Sequence, residues 1–81
     1  MPVVRVFAFA RLRELLGERR EIALDDGATV GELWEALVRE EPQLTAIARG
    51  ARFACNDRLC GPDVPLCDGD EVALLPPFGG G

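Results

Sequence analysis

Val30, Leu33, Trp34, Leu37 and Val38 fall at i, i+3, i+4, i+7 and i+8, a single apolar stripe, while Glu32, Glu35, Arg39 and Glu40 occupy the remaining surface. A helix with one such stripe has to lie against another layer, and no other stretch of the chain restricts the fold as much. The start of this helix is also specified. Thr29 precedes Glu32 by three, so its hydroxyl can accept from a free backbone N–H while the glutamate reaches back, the capping-box arrangement. Pro42 ends the run, because the residue before a proline is pushed out of helical geometry. Glu35 and Arg39 stand one turn apart and are expected to pair, at about 0.2–0.5 kcal/mol.

The layer beneath the helix is expected to be one sheet. The segment from Val3 to Phe9, VVRVFAF, is β-branched or aromatic with one arginine, the composition of a central strand covered on both faces for most of its length. Leu12, Leu15 and Leu16 recur at helical spacing and Gly17 stands where a left-handed residue can end a two-turn helix. Residues 20–24 put Ile22 and Leu24 on one face of a second strand, followed by a turn at Asp25-Asp26-Gly27. After the long helix, residues 43–50 read as a short helical or irregular connection ending at Gly50. ARFACNDRLC then gives strand, turn at Asn56-Asp57, and strand. A further turn at Asp68-Gly69-Asp70 leads into a last strand, Glu71 to Leu75, again expected to be covered on both sides. With 81 residues the chain can supply one hydrophobic core, so residues 1–75 are taken as one domain.

The charged residues narrow the function. Fourteen acids oppose nine bases, for a net charge of −5. Every base is arginine, and the chain has no lysine and no histidine. Negative charge repels phosphate backbones and anionic headgroups, so nucleic acid and membranes are not expected partners. Without histidine the commonest proton shuttle and metal ligand is missing, which argues against self-contained catalysis and against a metal site. Cys55, Cys60 and Cys67 match no paired zinc-ligand spacing and are expected to be reduced thiols acting as small, core or half-buried side chains. No apolar run approaches the ~20 residues needed to cross a bilayer, and the expected compartment is the cytoplasm.

Residues 76–81, PPFGGG, form an extended tail after the domain. Two prolines cannot continue a sheet ladder and hold the backbone extended. Gly79, Gly80 and Gly81 then make the last ~10 Å as thin as a polypeptide can be, able to thread a narrow channel, with the Gly81 carboxylate as the only functional group at the tip.

Three segments carry a family resemblance: FARLRELLG at 9–17, NDRL at 56–59, and PLCDGDEVALLPPFGGG from Pro65 onward. Together they resemble the small subunit of molybdopterin synthase, the ubiquitin-like sulfur carrier of the MoaD family. The resemblance implies an α+β, β-grasp fold: a mixed sheet packed against one main helix, a short helix between the first two strands, and the first and last strands parallel at its middle. It also implies that an E1-like adenylating enzyme uses ATP to activate Gly81 and that a sulfurtransferase supplies sulfur, giving a C-terminal thiocarboxylate. The sulfur would pass to cyclic pyranopterin monophosphate in molybdenum cofactor biosynthesis, inside a complex with the large synthase subunit, expected to be a heterotetramer. Acids, bases and phosphate-binding residues would belong to that subunit, so the chain itself would be a non-catalytic co-substrate with no bound cofactor. Phe78, Leu59, Pro76 and Pro77 are the expected partner contacts. The alternatives are a thiazole-synthesis sulfur carrier, which shares the fold and the Gly-Gly end but lacks the double proline, and a ubiquitin-like protein modifier.

Overall fold

The computed structural model describes residues 1–8, 11–47 and 52–75. In chain order they form β1 (Val3–Ala8), α1 (Arg11–Leu16), β2 (Arg19–Ala23), α2 (Val30–Glu40), α3 (Leu44–Ile47), β3 (Arg52–Cys55), β4 (Arg58–Cys60) and β5 (Glu71–Leu75). The strands make one mixed sheet in the order β2-β1-β5-β3-β4. β1 runs antiparallel to β2 and parallel to β5, and β3 runs antiparallel to both β5 and β4. The first and last strands therefore lie side by side in the interior of the sheet. Phe9, Gly50 and residues 76–81 lie outside the described residues.

The core occupies one side of the sheet. Val4, Val6 and Ala8 of β1, Ile22 of β2 and Val72 and Leu74 of β5 point toward Val30, Leu33 and Leu37 of α2, Leu12 and Leu16 of α1 and Leu44 of α3, and all are buried. The expectation that β1 and β5 are covered on both faces is overturned. Along β1, Val3 and Arg5 are exposed and Phe7 is half-buried; along β5, Glu71 is exposed and Ala73 and Leu75 are half-buried. The reason is that every helix lies on the same side, so the alternate residues of both central strands face outward even where they are apolar. The outer part of the α2 stripe is not fully buried either. Trp34 and Val38 are half-exposed, and Trp34 meets Phe53 edge-on at 5.8 Å between ring centroids.

α2 begins as its sequence demands. The Thr29 hydroxyl accepts from the Glu32 N–H at 3.3 Å, and the Glu32 carboxylate accepts from the Thr29 N–H at 2.9 Å. The two remaining free donors of the first turn are met by the loop before β5: the Val30 N–H donates to Val64 and the Gly31 N–H to Pro62, both at 2.9 Å. At Gly31 a Cβ would come within 3.2 Å of the Pro62 carbonyl oxygen, so the small residue permits the close approach of loop and helix. The expected Glu35–Arg39 pair is not among the ion pairs of the described residues. Arg20 of β2 instead reaches Glu40 at 3.0 Å, tying the edge strand to the end of the helix.

The entrance to β5 is fixed by a polar knot. Asp68 accepts from the Val3 N–H at 2.7 Å, and Asp70 accepts from the Cys67 N–H at 2.7 Å and from the Asn56 side-chain amide at 3.1 Å. Asn56 in turn accepts from the Glu71 N–H at 3.1 Å. Gly69 at φ +87° makes the turn, and Asn56 and Asp57 at φ +50° and +70° form the two-residue loop between β3 and β4. The knot thus sets the height at which β5 starts between β1 and β3. Replacing Asp70 with alanine should lower the unfolding free energy by roughly 1–3 kcal/mol in urea titration. Leu37→Ala, which opens a cavity between α2 and the sheet, should cost about 2–5 kcal/mol in the same measurement.

Candidate functional site

The outward face of the sheet follows from the register. Phe7 of β1 is level with Ala73 of β5, Ala73 with Ala54 of β3, and Ala54 with Leu59 of β4. These four residues form one apolar row across four strands, with no helix of the described residues over it. Because its two middle members are alanines, the row is a shallow depression of about 230 Å³ lined by Phe7, Ala54, Asp57, Glu71 and Ala73. Leu59 stands at its β4 end with 66% of its surface exposed, and a second trough of about 390 Å³ continues from it past Arg52, Phe53, Cys60 and Pro62. A leucine left in water costs about 1.5–3 kcal/mol relative to burial, so this side chain is available to a partner.

Charged residues border the row. One step toward the start of β5, Arg5 and Glu71 pair across the strands at 3.1 Å. One step toward its end, Arg52 lies opposite Leu75, the last described residue of the strand. Arg19 lies beside Phe7 on the edge strand β2. An apolar row within a charged border is the composition of a protein-docking face. β5 ends at Leu75 in the interior of this sheet, next to that face.

Of the residues expected to serve in the site, Leu59 lies on this face. Pro76, Pro77, Phe78, Gly79, Gly80 and Gly81 fall outside the described residues. Phe7, Ala54 and Ala73 had not been anticipated as site residues. Their outward alternation could be read from each strand separately, but their alignment into one row depends on a register that pairing across distant segments creates.

The three cysteines are free, with Cys55 and Cys60 half-buried and Cys67 exposed, so the expected small-side-chain role holds in position for the first two. Burial, and after it the nearby Asp70 carboxylate, pushes the Cys55 thiol above its ordinary value. Among the described residues, no group of three histidine, cysteine or acidic side chains is arranged to hold a metal ion. No helix among them is long and apolar enough to cross a membrane.

Solved structures share this architecture over nearly the whole chain. A molybdopterin converting factor subunit 1 from Pyrococcus furiosus, itself described as putative, superposes with a TM-score of 0.88 at 31% identity, covering 96% of this chain and 100% of its own. The small archaeal modifier protein 1 of Haloferax volcanii gives 0.86 at 26% identity, with 96% and 100% covered. Subunit 1 of a Helicobacter pylori molybdopterin-converting factor, solved in complex with subunit 2, gives 0.71 at 34% identity, with 98% and 99% covered. A mixed sheet with parallel central first and last strands over one main helix places the protein in the class of ubiquitin-like β-grasp domains. The molybdopterin synthase sulfur carrier subunit of Chlamydomonas reinhardtii is 35% identical over 81 residues, covering 96% of this chain and 98% of its own. Residues 6–81 match the ThiS family. The chain belongs to the ThiS family and, within it, to the kind represented by the molybdopterin synthase sulfur carrier subunits.

Thiolate is the reactive form, so a raised Cys55 value slows its alkylation until the pH passes the shifted value. At pH 8, iodoacetamide should modify Cys67 first and Cys55 more slowly, as read by peptide mass mapping. The same shift carries a sign for stability. The fold favours the neutral thiol, so its contribution is present below the unfolded-state value and is lost as pH rises through the higher folded-state value.

Proposed function

We propose that this chain is the sulfur carrier of a molybdopterin synthase, donating sulfur from a thiocarboxylate on Gly81 to cyclic pyranopterin monophosphate. The observation that carries the proposal is positional: the central strand β5 ends at Leu75 beside an open apolar row, in a chain that aligns over its length with carrier subunits. The chemistry balances as follows. The Gly81 carboxylate attacks the α-phosphorus of ATP and pyrophosphate leaves, which gives the acyl carbon AMP as a good leaving group. A persulfide-type sulfur donor supplied by a sulfurtransferase attacks that carbon and AMP departs. A second thiol then attacks the donor's sulfur in the resulting acyl disulfide, forming a disulfide with the donor as the S–S bond to the acyl group breaks. The thiocarboxylate that departs carries a sulfur that is a softer and stronger nucleophile than the oxygen it replaced. The sulfur displaces an oxygen leaving group from a carbon of the pterin precursor, and water then cleaves the acyl–sulfur bond, leaving the sulfur on the pterin as a thiol and returning Gly81 to a carboxylate.

Each part of the chain has a place in this cycle. Pro76 and Pro77 serve as a stiff spacer, and Gly79, Gly80 and Gly81 are thin enough to enter a narrow channel in the large subunit. Leu59, Phe78 and the row from Phe7 through Ala73 and Ala54 form the docking surface on which that subunit sits, in a heterotetramer. The H. pylori subunit 1, similar along this chain's whole length, forms a complex with subunit 2. ATP is consumed by an E1-like activating enzyme, no cofactor resides on the carrier, and the cycle runs in the cytoplasm.

A protein modifier would use the same activated terminus, and the likeness to small archaeal modifier protein 1 gives that reading its support. Transfer of sulfur rather than formation of lysine adducts separates the two. Gly81→Val should abolish sulfur transfer in a reconstituted synthase while leaving urea unfolding unchanged within about 0.5 kcal/mol; transfer at the normal rate would overturn the proposal. Leu59→Asp should weaken binding to the large subunit at least about tenfold in calorimetric titration, since it replaces an exposed apolar contact of the docking face with a charge that binding would desolvate.

A further inference from the structure

Resting on the docking role just proposed, we infer that Cys55 and Cys60 are a reversible oxidation site: a hydroperoxide closes them into a cross-strand disulfide that displaces β4, and with it Leu59, so that the oxidised chain docks poorly. The pair is a product of register. β3 and β4 are antiparallel, with Phe53 level with Cys60 and Cys55 level with Arg58. The two cysteines are therefore diagonal neighbours on one face of the hairpin, and Ala54 and Leu59 stand on the other. Both cysteines are half-buried and pack against the core.

The two thiols differ in their surroundings. Cys60 lines the open trough of about 390 Å³ that runs from Leu59 past Arg52, Phe53 and Pro62, so a small oxidant can approach it from solvent. The Cys55 sulfur lies 3.9 Å from the Asn56 side-chain amide. Burial, then the Asp70 carboxylate, then the neighbouring Cys60 thiol push the Cys55 thiol above its ordinary value, which keeps it protonated and leaves the first attack to Cys60.

The chemistry closes on a single peroxide. The Cys60 thiolate attacks one peroxide oxygen, the S–O bond forms, the O–O bond breaks, and the departing hydroxide takes a proton to become water. Cys55 gives up its proton and attacks the sulfenic sulfur of Cys60. The S–S bond forms, the S–O bond breaks, and a second water leaves. The two thiols lose two electrons and two protons, and the peroxide is reduced to two waters.

The disulfide cannot form without moving a strand. Diagonal neighbours have Cβ atoms ~7 Å apart, whereas a disulfide needs ~3.5–4.5 Å, so closure draws the strands about 2–3 Å out of place. β3 is held between β5 and β4, while β4 is a three-residue edge strand with one neighbour, so β4 takes up the movement. Leu59 directly precedes Cys60 and is carried with it on the docking face. A strained disulfide is the readily reduced kind, so glutathione restores both thiols once the oxidant is spent.

The test treats the full reduced chain with a small excess of hydrogen peroxide, reads intact mass and disulfide connectivity, and titrates the reduced and oxidised chains against the large subunit by calorimetry. The oxidised chain should be lighter by two hydrogen atoms, with residues 55 and 60 joined. Its affinity for the large subunit should fall at least about fivefold and return on reduction with dithiothreitol. Cys67→Ser, which removes the exposed thiol, should close the same disulfide and lose the same affinity. Cys55→Ser should stop at a Cys60 sulfenic acid, one oxygen heavier, with no bond between cysteines. The inference is overturned if the chain takes up oxygen without joining residues 55 and 60, if either of them pairs with Cys67 instead, or if the joined chain binds as tightly as the reduced one. Failure of the reduced chain to bind the large subunit at all would instead sink the docking role, and this inference with it.

Discussion

The parallel pairing of β1 with β5 at the centre of the sheet is the constraint on which the rest of the structure depends. Two adjacent parallel strands cannot be joined by a tight turn, so the whole intervening chain must leave the sheet and come back. The helices α1, α2 and α3 fill that excursion on one side, and β2, β3 and β4 complete the sheet at its two edges. The same pairing sends the two chain ends in opposite directions. It is held at its start by the knot of Asp68, Asp70 and Asn56, which fixes β5 against Val3 on one side and against the β3–β4 loop on the other.

Placing all helices on one side leaves the outward face to decide what the protein can meet. In a sheet of five strands, the three interior ones ordinarily gain most from being covered twice. Here Phe7, Ala73 and Ala54 remain half-exposed, and the uncovered apolar area ends in a leucine at the short edge strand β4. That arrangement is costly for an isolated domain and sensible for one that works by docking. Under the proposed function it also separates two tasks that an enzyme would combine, recognition by the compact body and reaction at the Gly81 carbonyl.

Much of this was legible in the sequence because it was encoded locally. The cap at Thr29 and Glu32, the apolar stripe of α2, the glycines at 17, 27 and 69 in left-handed conformation, and the Asn56-Asp57 loop each declare themselves within a few residues. The double covering of β1 and β5 was misread because continuous apolar runs look alike whether both faces are buried or one awaits a partner. The Arg20–Glu40 contact between β2 and α2 was hidden for a related reason: the two residues stand twenty apart in sequence, and only the folded chain brings them together. The row across the sheet was likewise invisible, since Leu59 could be singled out by its exposed position in a motif but its neighbours Ala54 and Ala73 acquire meaning only through register.

In the proposed cycle the chemistry of this chain rests on a single acyl carbon, that of Gly81. Intact-mass spectrometry of the chain after reaction with an adenylating enzyme, ATP and a persulfide sulfur donor tests that claim most directly. The account predicts a mass gain equal to one oxygen-for-sulfur exchange, located by fragmentation at Gly81. An unchanged mass after ATP has been consumed, or a whole added sulfur atom located on Cys55, Cys60 or Cys67, would contradict it.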